Sequence, residues 1–200
     1  MKKHKPKRRF PPEILSDEEV RALMDACGRY ASRAIRNRAL IAILYRGGLR
    51  INEALALYPK DIDLISGAVR VLHGKGDKPR TIGIDPGAIA MLQKWLERRL
   101  RLGINGIHPV FCNDDGRAIS DGYIRSLLPS LARLAGIHKR VHAHGLRHTH
   151  ASQLRSEGVD IGIISKQLGH VSISTTARYL DHIAPMAVIE VMGNRRWTGR

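Results

Sequence analysis

Helix-length stretches of periodic apolar residues alternate with glycine breaks along most of this chain, and that punctuation limits the folds open to it. Ser16-Asp17-Glu18-Glu19 has the form of a capping box; Val20, Leu23, Met24 and Cys27 then share one helical face before Gly28 ends the helix. A second helix is predicted from about Ser32 to Tyr45, stopped by Gly47-Gly48. A short third one starts near Arg50 and carries Glu53, Ala54, Leu55 and Leu57. Asp85-Pro86 caps a helix to about Arg101, with Ile89, Leu92, Trp95, Leu96 and Leu100 as its buried face. Ser120 opens another through Leu134, with Pro129 as a kink. Helices follow from His144 to about Ser156 before Gly158, and from Ile161 to Leu168 before Gly169. Two more are predicted around Thr175–Leu180 and Pro185–Met192. Val69–Leu72 and Arg80–Ile84 form a hairpin around Gly74-Lys75-Gly76-Asp77-Lys78-Pro79, and Pro109-Val110-Phe111 is a short strand candidate. The predicted fold class is therefore mainly α with a small antiparallel β-sheet (α+β).

A length of 200 residues points to one domain, and 43% hydrophobic content supports a real core. With aromatics at 4%, that core is built from Leu, Ile, Ala and Val. Lys+Arg 34 against Asp+Glu 18 gives a formal charge of +16. So basic a domain usually meets a polyanion, because neutralising phosphates releases condensed counterions. Charge alone leaves a basic ribosomal-type protein open. Cys27 and Cys112 stand apart from any CxxC pair, so neither a zinc knuckle nor a disulfide framework is implied, and a reducing cytoplasm fits. Charges interrupt every apolar run before it reaches membrane length, and the basic N-terminus lacks the apolar stretch of a secretory signal. Residues 1–13 read as a basic flexible arm and 193–200 as a basic tail, both suited to tracking a DNA backbone.

Polar boxes stand next to these glycine breaks. Gly47-Gly48-Leu49-Arg50-Ile51-Asn52-Glu53 comes first, then Gly74-Lys75-Gly76, His144-Gly145-Leu146-Arg147-His148 and Leu168-Gly169-His170, with Tyr179 nine positions on. Arg50 and Arg147 are guanidinium groups able to hold a phosphate bidentately at any working pH. Arg50 opens a helix after a glycine break, where an anion is also favoured, and Glu53 one turn on can orient it. His144 and Arg147, three apart, face the same side of one helix. A tyrosine hydroxyl with a pKa near 10 needs a positive setting or a base to attack at neutral pH; Arg178, Arg147, His144 and His170 offer both. Lys75, between two glycines at a hairpin tip, suits a general acid. His142, His144, His148 and His150 raise a metal site as a rival, but Gly145 stands where a metalloprotease helix has Glu, and no nearby carboxylate completes a set.

In these boxes the sequence resembles the tyrosine recombinase (phage integrase) family. The match covers that family's catalytic domain, about 14–192. The resemblance implies that Tyr179 attacks a DNA phosphate to form a 3′-phosphotyrosyl link and free a 5′-hydroxyl. Arg50 and Arg147 would clamp the phosphate, His144 and His170 would assist in hydrogen bonding and proton transfer, and Lys75 would protonate the leaving oxygen. Glu53 would support Arg50. No cofactor, ATP or metal is expected. The partners implied are double-stranded DNA, a homo-tetramer on two DNA sites and accessory DNA-bending proteins, in the cytoplasm at the nucleoid and without a membrane. The family often swaps its C-terminal segment between neighbours, here Ile183 to Met192.

Most members carry an additional N-terminal domain that clamps the far side of the DNA. About fifteen residues precede the match here, so no such domain is expected and the chain resembles single-domain members such as fimbrial invertases. Lys78, Arg80, Arg125, Lys139, Arg140 and Arg178 are candidate DNA contacts and equally candidate solvated charges. Three other readings remain: a topoisomerase of type IB chemistry, a DNA-binding module that has lost catalysis, and a basic structural or RNA-binding protein. The ordered boxes favour the recombinase.

Overall fold

The computed structural model describes residues 13–72, 79–170, 172–183 and 192–195. Lys75 and Lys78 at the hairpin tip, and all but Met192 of the helix expected over 185–192, lie outside the described residues.

Local signals set most of the elements. In α1 (Asp17–Asp25) the Ser16 Oγ accepts from the Glu19 amide at 3.2 Å, and the Glu19 carboxylate accepts from the Ser16 amide at 2.7 Å. α2 (Ser32–Arg46) stops at Gly47, and α3 (Ile51–Leu55) starts after Arg50. The turn between them needs glycine: Gly48 has φ +63°, and a Cβ there would meet His150 at 2.5 Å. A three-stranded antiparallel sheet follows, ordered β1 (Ile62–Asp63), β2 (Ala68–Val71), β3 (Arg80–Gly83). Val69 pairs with Ile82, and both side chains are buried. β1 is too short to carry a periodicity that sequence reading can detect.

α4 (Pro86–Arg101) is capped by Asp85 and α5 (Asp121–Leu134) by Ser120. Two expectations are corrected here. Leu100 is 72% exposed; Arg99 takes the inward place, its stem in the core and its guanidinium donating to the carbonyls of Asn105 and His108. Pro109-Val110-Phe111 is irregular rather than a strand. It is held in the core by hydrogen bonds from the Val110 amide to the Leu57 carbonyl and from the Trp95 indole to the Val110 carbonyl, each 2.7 Å, and from the Ile119 amide to the Phe111 carbonyl at 3.2 Å.

α6 (Ala143–Ser156), α7 (Ile161–Leu168) and α8 (Ile173–Ile183) complete the described elements. Gly169, left-handed at φ +64°, closes α7. The fold is mainly α with one small antiparallel sheet, as predicted. Its apolar residues form two clusters. The larger surrounds α2, whose residues Ala39 through Tyr45 are all buried, so that helix is enclosed on every side. The smaller joins Ala151, Ile164, Leu168 and Leu180, with Tyr179 packed against it. α6 spans both, placing Leu146 in the larger and Ala151 in the smaller.

Candidate active site

His142 caps α6 by accepting the Gly145 amide at 3.0 Å, which fixes the helix turn carrying His144 and Arg147. Arg147 is only 1% exposed. Its Nη1 donates to the Gly48 carbonyl at 2.5 Å and its Nη2 to the Leu168 carbonyl at 2.6 Å. A second contact of Nη2 reaches His170 Nε2 at 3.3 Å. One buried guanidinium therefore stitches together the α2–α3 turn, α6 and the end of α7. Burial pulls its pKa down to about 10, and the neighbouring Arg50 charge adds to that, so it still carries its charge at neutral pH.

Arginine has no acceptor, so His170 Nε2 accepts from Arg147 and Nδ1 carries the proton. That proton goes to Thr176 Oγ1 at 2.9 Å. Thr176 is fully buried on α8, one turn before Tyr179.

Three imidazoles surround the Tyr179 ring. His148 stacks on it with centroids 5.0 Å apart, and His170 meets it edge-on at 5.1 Å. His144 lies at 6.5 Å and itself packs on His148 at 4.3 Å. The Tyr179 hydroxyl oxygen is buried and makes no hydrogen bond among the described residues. Burial pushes its pKa up to about 12, against the opposing pull of the Arg147 and Arg50 charges. The phenol is thus neutral, with the Arg147 guanidinium beside it. His144 has its pKa lowered, by burial first and then by Arg147, His142 and Arg50, so it is a neutral imidazole able to accept a proton.

Arg50 reaches the same region from the α2–α3 turn and is 30% exposed. Glu53 accepts its backbone amide at 2.9 Å and its Nη1 at 2.7 Å. Burial alone would raise the Glu53 carboxyl, but hydrogen bonds from Arg80 and Arg50 outweigh it and hold it at about 2.

Arg80, from sequence equally a candidate DNA contact or solvated charge, turns inward and gives both Nη atoms to Glu53, at 3.0 and 2.8 Å. Lys139 is engaged by the Ile14 carbonyl and by Glu19, at 2.8 and 2.7 Å. Arg125 pairs with Asp121 one turn away. Arg140 has its backbone amide on Glu13, and Arg178 is exposed on α8. The structure thus brings Arg50, Glu53, His144, Arg147, His170 and Tyr179 to one place, from four separate elements. Sequence reading missed Thr176, the Gly48 and Leu168 carbonyls, and His148 as the face of Tyr179. Among the described residues no group of three His, Cys, Asp or Glu side chains is arranged to hold a metal, and none of the helices is long and apolar enough to cross a membrane.

Residues 13–184 match the family model described as the phage integrase family. The tyrosine recombinase XerC of Thermodesulfovibrio yellowstonii is 33% identical over 189 residues, covering 92% of this chain and 62% of that protein. XerC of Staphylococcus aureus is 31% identical over 192 residues, covering 96% of this chain and 63% of that protein. The chain spans about three fifths of the length of these curated relatives. Among solved structures, XerA recombinase superposes with a TM-score of 0.80 at 31% identity, over 94% of this chain and 68% of that one. XerH recombinase bound to its palindromic difH substrate gives 0.74 at 31% identity, over 92% and 54%. The catalytic domain of bacteriophage HP1 integrase, at 0.59 and 23% identity over 91% and 94%, shares the fold.

Proposed function

The chain belongs to the phage integrase family, and from that premise we propose that it breaks and rejoins DNA at specific sites through a 3′-phosphotyrosine at Tyr179. The observation that carries this reading is the Tyr179 hydroxyl, buried between three imidazoles and beside the buried Arg147. A phosphate seated on Arg50 and Arg147 would spread its transition-state charge over two guanidinium groups. Tyr179 Oη forms the new bond to phosphorus while the bond to the 5′ oxygen breaks. The phenolic proton passes to neutral His144, and Lys75 supplies a proton to the leaving oxygen. His170, held by Thr176, accepts from Arg147 and so orients that guanidinium toward the phosphate. Attack by the 5′-hydroxyl of a partner strand reverses the linkage. The phosphotyrosine keeps the energy of the broken bond, so the cycle needs neither ATP nor a metal.

The substrate is double-stranded DNA, and a net formal charge of +16 supports that partner. A homo-tetramer on two DNA sites, helped by accessory DNA-bending proteins, would pair the strands in the cytoplasm at the nucleoid.

Covalent trapping tests the reading. The protein is incubated with nicked, labelled DNA from the region flanking its own gene, denatured and run on a gel, beside Tyr179→Phe. A shifted adduct that disappears in the variant while DNA binding persists is the expected result. Tight binding with no adduct in either protein would overturn the enzymatic reading in favour of a binding module. Relaxation of supercoiled DNA without site preference would favour type IB topoisomerase chemistry.

A further inference from the structure

Among the described residues the buried Glu53 carboxylate has two arginine partners, and only Arg50 faces the proposed phosphate. The other is Arg80 on β3, with its side chain 12% exposed. Its Nη1 donates to Glu53 Oε1 at 3.0 Å and its Nη2 to Oε2 at 2.8 Å, the two-pronged geometry a planar guanidinium allows. Nε points to the Gln167 carbonyl at 3.4 Å. Gly169 lies against the same group: a Cβ there would come within 2.8 Å of Arg80 Cζ, at a residue already left-handed. Arg80 is thus enclosed between α3, which follows Arg50, and the turn that presents His170.

The sharing of oxygens decides what this does. Glu53 Oε1 accepts from Arg50 Nη1 and from Arg80 Nη1. Oε2 accepts from the Arg50 amide and from Arg80 Nη2. Both oxygens are occupied by Arg80, so the carboxylate's charge is already answered when Arg50 reaches it. Among the described residues, Nη1 is the one side-chain atom of Arg50 that Glu53 engages, and Nη2 and Nε stay available to an anion. Three charges leave a net positive group. Without Arg80 the carboxylate would have Arg50 as its sole cation among the described residues, and a planar guanidinium can close on a buried carboxylate as a two-pronged pair.

We propose that Arg80 is a positioning residue for strand breakage: it saturates Glu53 so that Arg50 is displayed to the scissile phosphate rather than captured, and it ties that display to the His170 turn. This rests on the reading of the site given above.

The test uses the full chain with Arg80→Gln, Arg80→Lys, Glu53→Gln and the Arg80→Gln/Glu53→Gln double variant, each checked by thermal melt. Single-turnover adduct formation on nicked DNA is measured beside DNA affinity. Arg80→Gln should slow adduct formation by about a hundredfold, with DNA affinity changed by about threefold or less. Arg80→Lys keeps the charge but not the fork, and should recover about a tenth of the rate or less. The double variant should be no slower than Glu53→Gln alone, because no carboxylate remains to capture Arg50. Multiplying losses in the double variant, or a near wild-type rate for Arg80→Gln, would overturn the proposal. A second readout is independent of activity: phenylglyoxal modification of Arg50, mapped by mass spectrometry. It should slow several-fold in Arg80→Gln and in Arg80→Lys, and an unchanged rate in both overturns the proposal. Absence of an adduct in wild type would count against the enzymatic reading, while the phenylglyoxal result would still decide the role of Arg80.

Discussion

The two hydrophobic clusters mount the site's groups in different ways. Arg50 follows Leu49 and precedes Ala54, both fully buried in the cluster that surrounds α2. Tyr179 belongs to the other cluster, where Ala151, Ile164, Leu168 and Leu180 are the buried members. Stabilisation scales with apolar area removed from water, so the first support is much the stronger. Elements with few buried apolar contacts open locally without unfolding the rest. The wall that carries Arg50 is therefore the firmer one, and the helix that carries Tyr179 is the one expected to open first. Arg147 lies between, on a helix with a side chain in each cluster.

The comparison breaks most directly by emptying each cluster in turn. Leu44→Ala in the larger should cost about 3 kcal/mol. It should lower the urea midpoint of the whole domain and take Arg50 and Tyr179 down together. Leu180→Ala removes a fully buried side chain from the smaller cluster. There the global midpoint should move roughly half as much or less, while amide exchange in α8 rises about tenfold. Equal midpoint shifts, with exchange in α8 no faster than elsewhere, would mean the two clusters unfold as one unit.

A pH titration sharpens the comparison at the seam between them. His150 packs on Gly48, which follows the larger cluster's central helix, and its buried Nε2 has no hydrogen-bond partner among the described residues. Burial, then Arg46 and Arg147, push its pKa to about 4, with Asp85 opposing weakly. The unfolded histidine takes up a proton near its ordinary value of 6.5, while the folded one resists until about 4. Stability is therefore fully present above 6.5 and falls as the pH drops from there toward 4. The loss from this residue should be about 2 kcal/mol at pH ~5. His150→Leu should flatten that part of the stability curve, measured as urea midpoints between neutrality and pH ~5. Parallel curves for the two proteins would assign the acid sensitivity to other groups.

What the sequence made legible follows the same division between local and distant causes. The caps at Ser16, Asp85 and Ser120 and the stop at Gly169 are properties of a few neighbouring residues, and they stand where the pattern puts them. The ordered boxes led to Arg50, His144, Arg147, His170 and Tyr179 because each carries its own chemistry. Arg80 reads from sequence equally as a DNA contact or a solvated charge, because an arginine on a strand looks the same whether it meets DNA, water or a carboxylate 27 positions away. Arg99 and Leu100 exchanged roles because the carbonyls of Asn105 and His108 exist only once the following loop folds back. Thr176 carried no signal at all; its importance lies in facing His170 across a turn.

Thr176→Val gives the smallest effect and the sharpest view of how the weaker support works. Valine keeps the shape of a side chain that is fully buried, and removes the oxygen 2.9 Å from His170 Nδ1. The net loss of one such hydrogen bond is about 1 kcal/mol. The urea midpoint should therefore shift only slightly. The His170 ring, however, loses the partner that fixes its Nδ1–H tautomer and aims Nε2 at Arg147. Adduct formation should slow about tenfold, out of proportion to the stability change. Thr176→Ser keeps the oxygen and should restore most of the rate. If serine fails to rescue while valine and serine lose equal stability, the threonine contributes packing to α8 and the orientation of His170 comes from elsewhere.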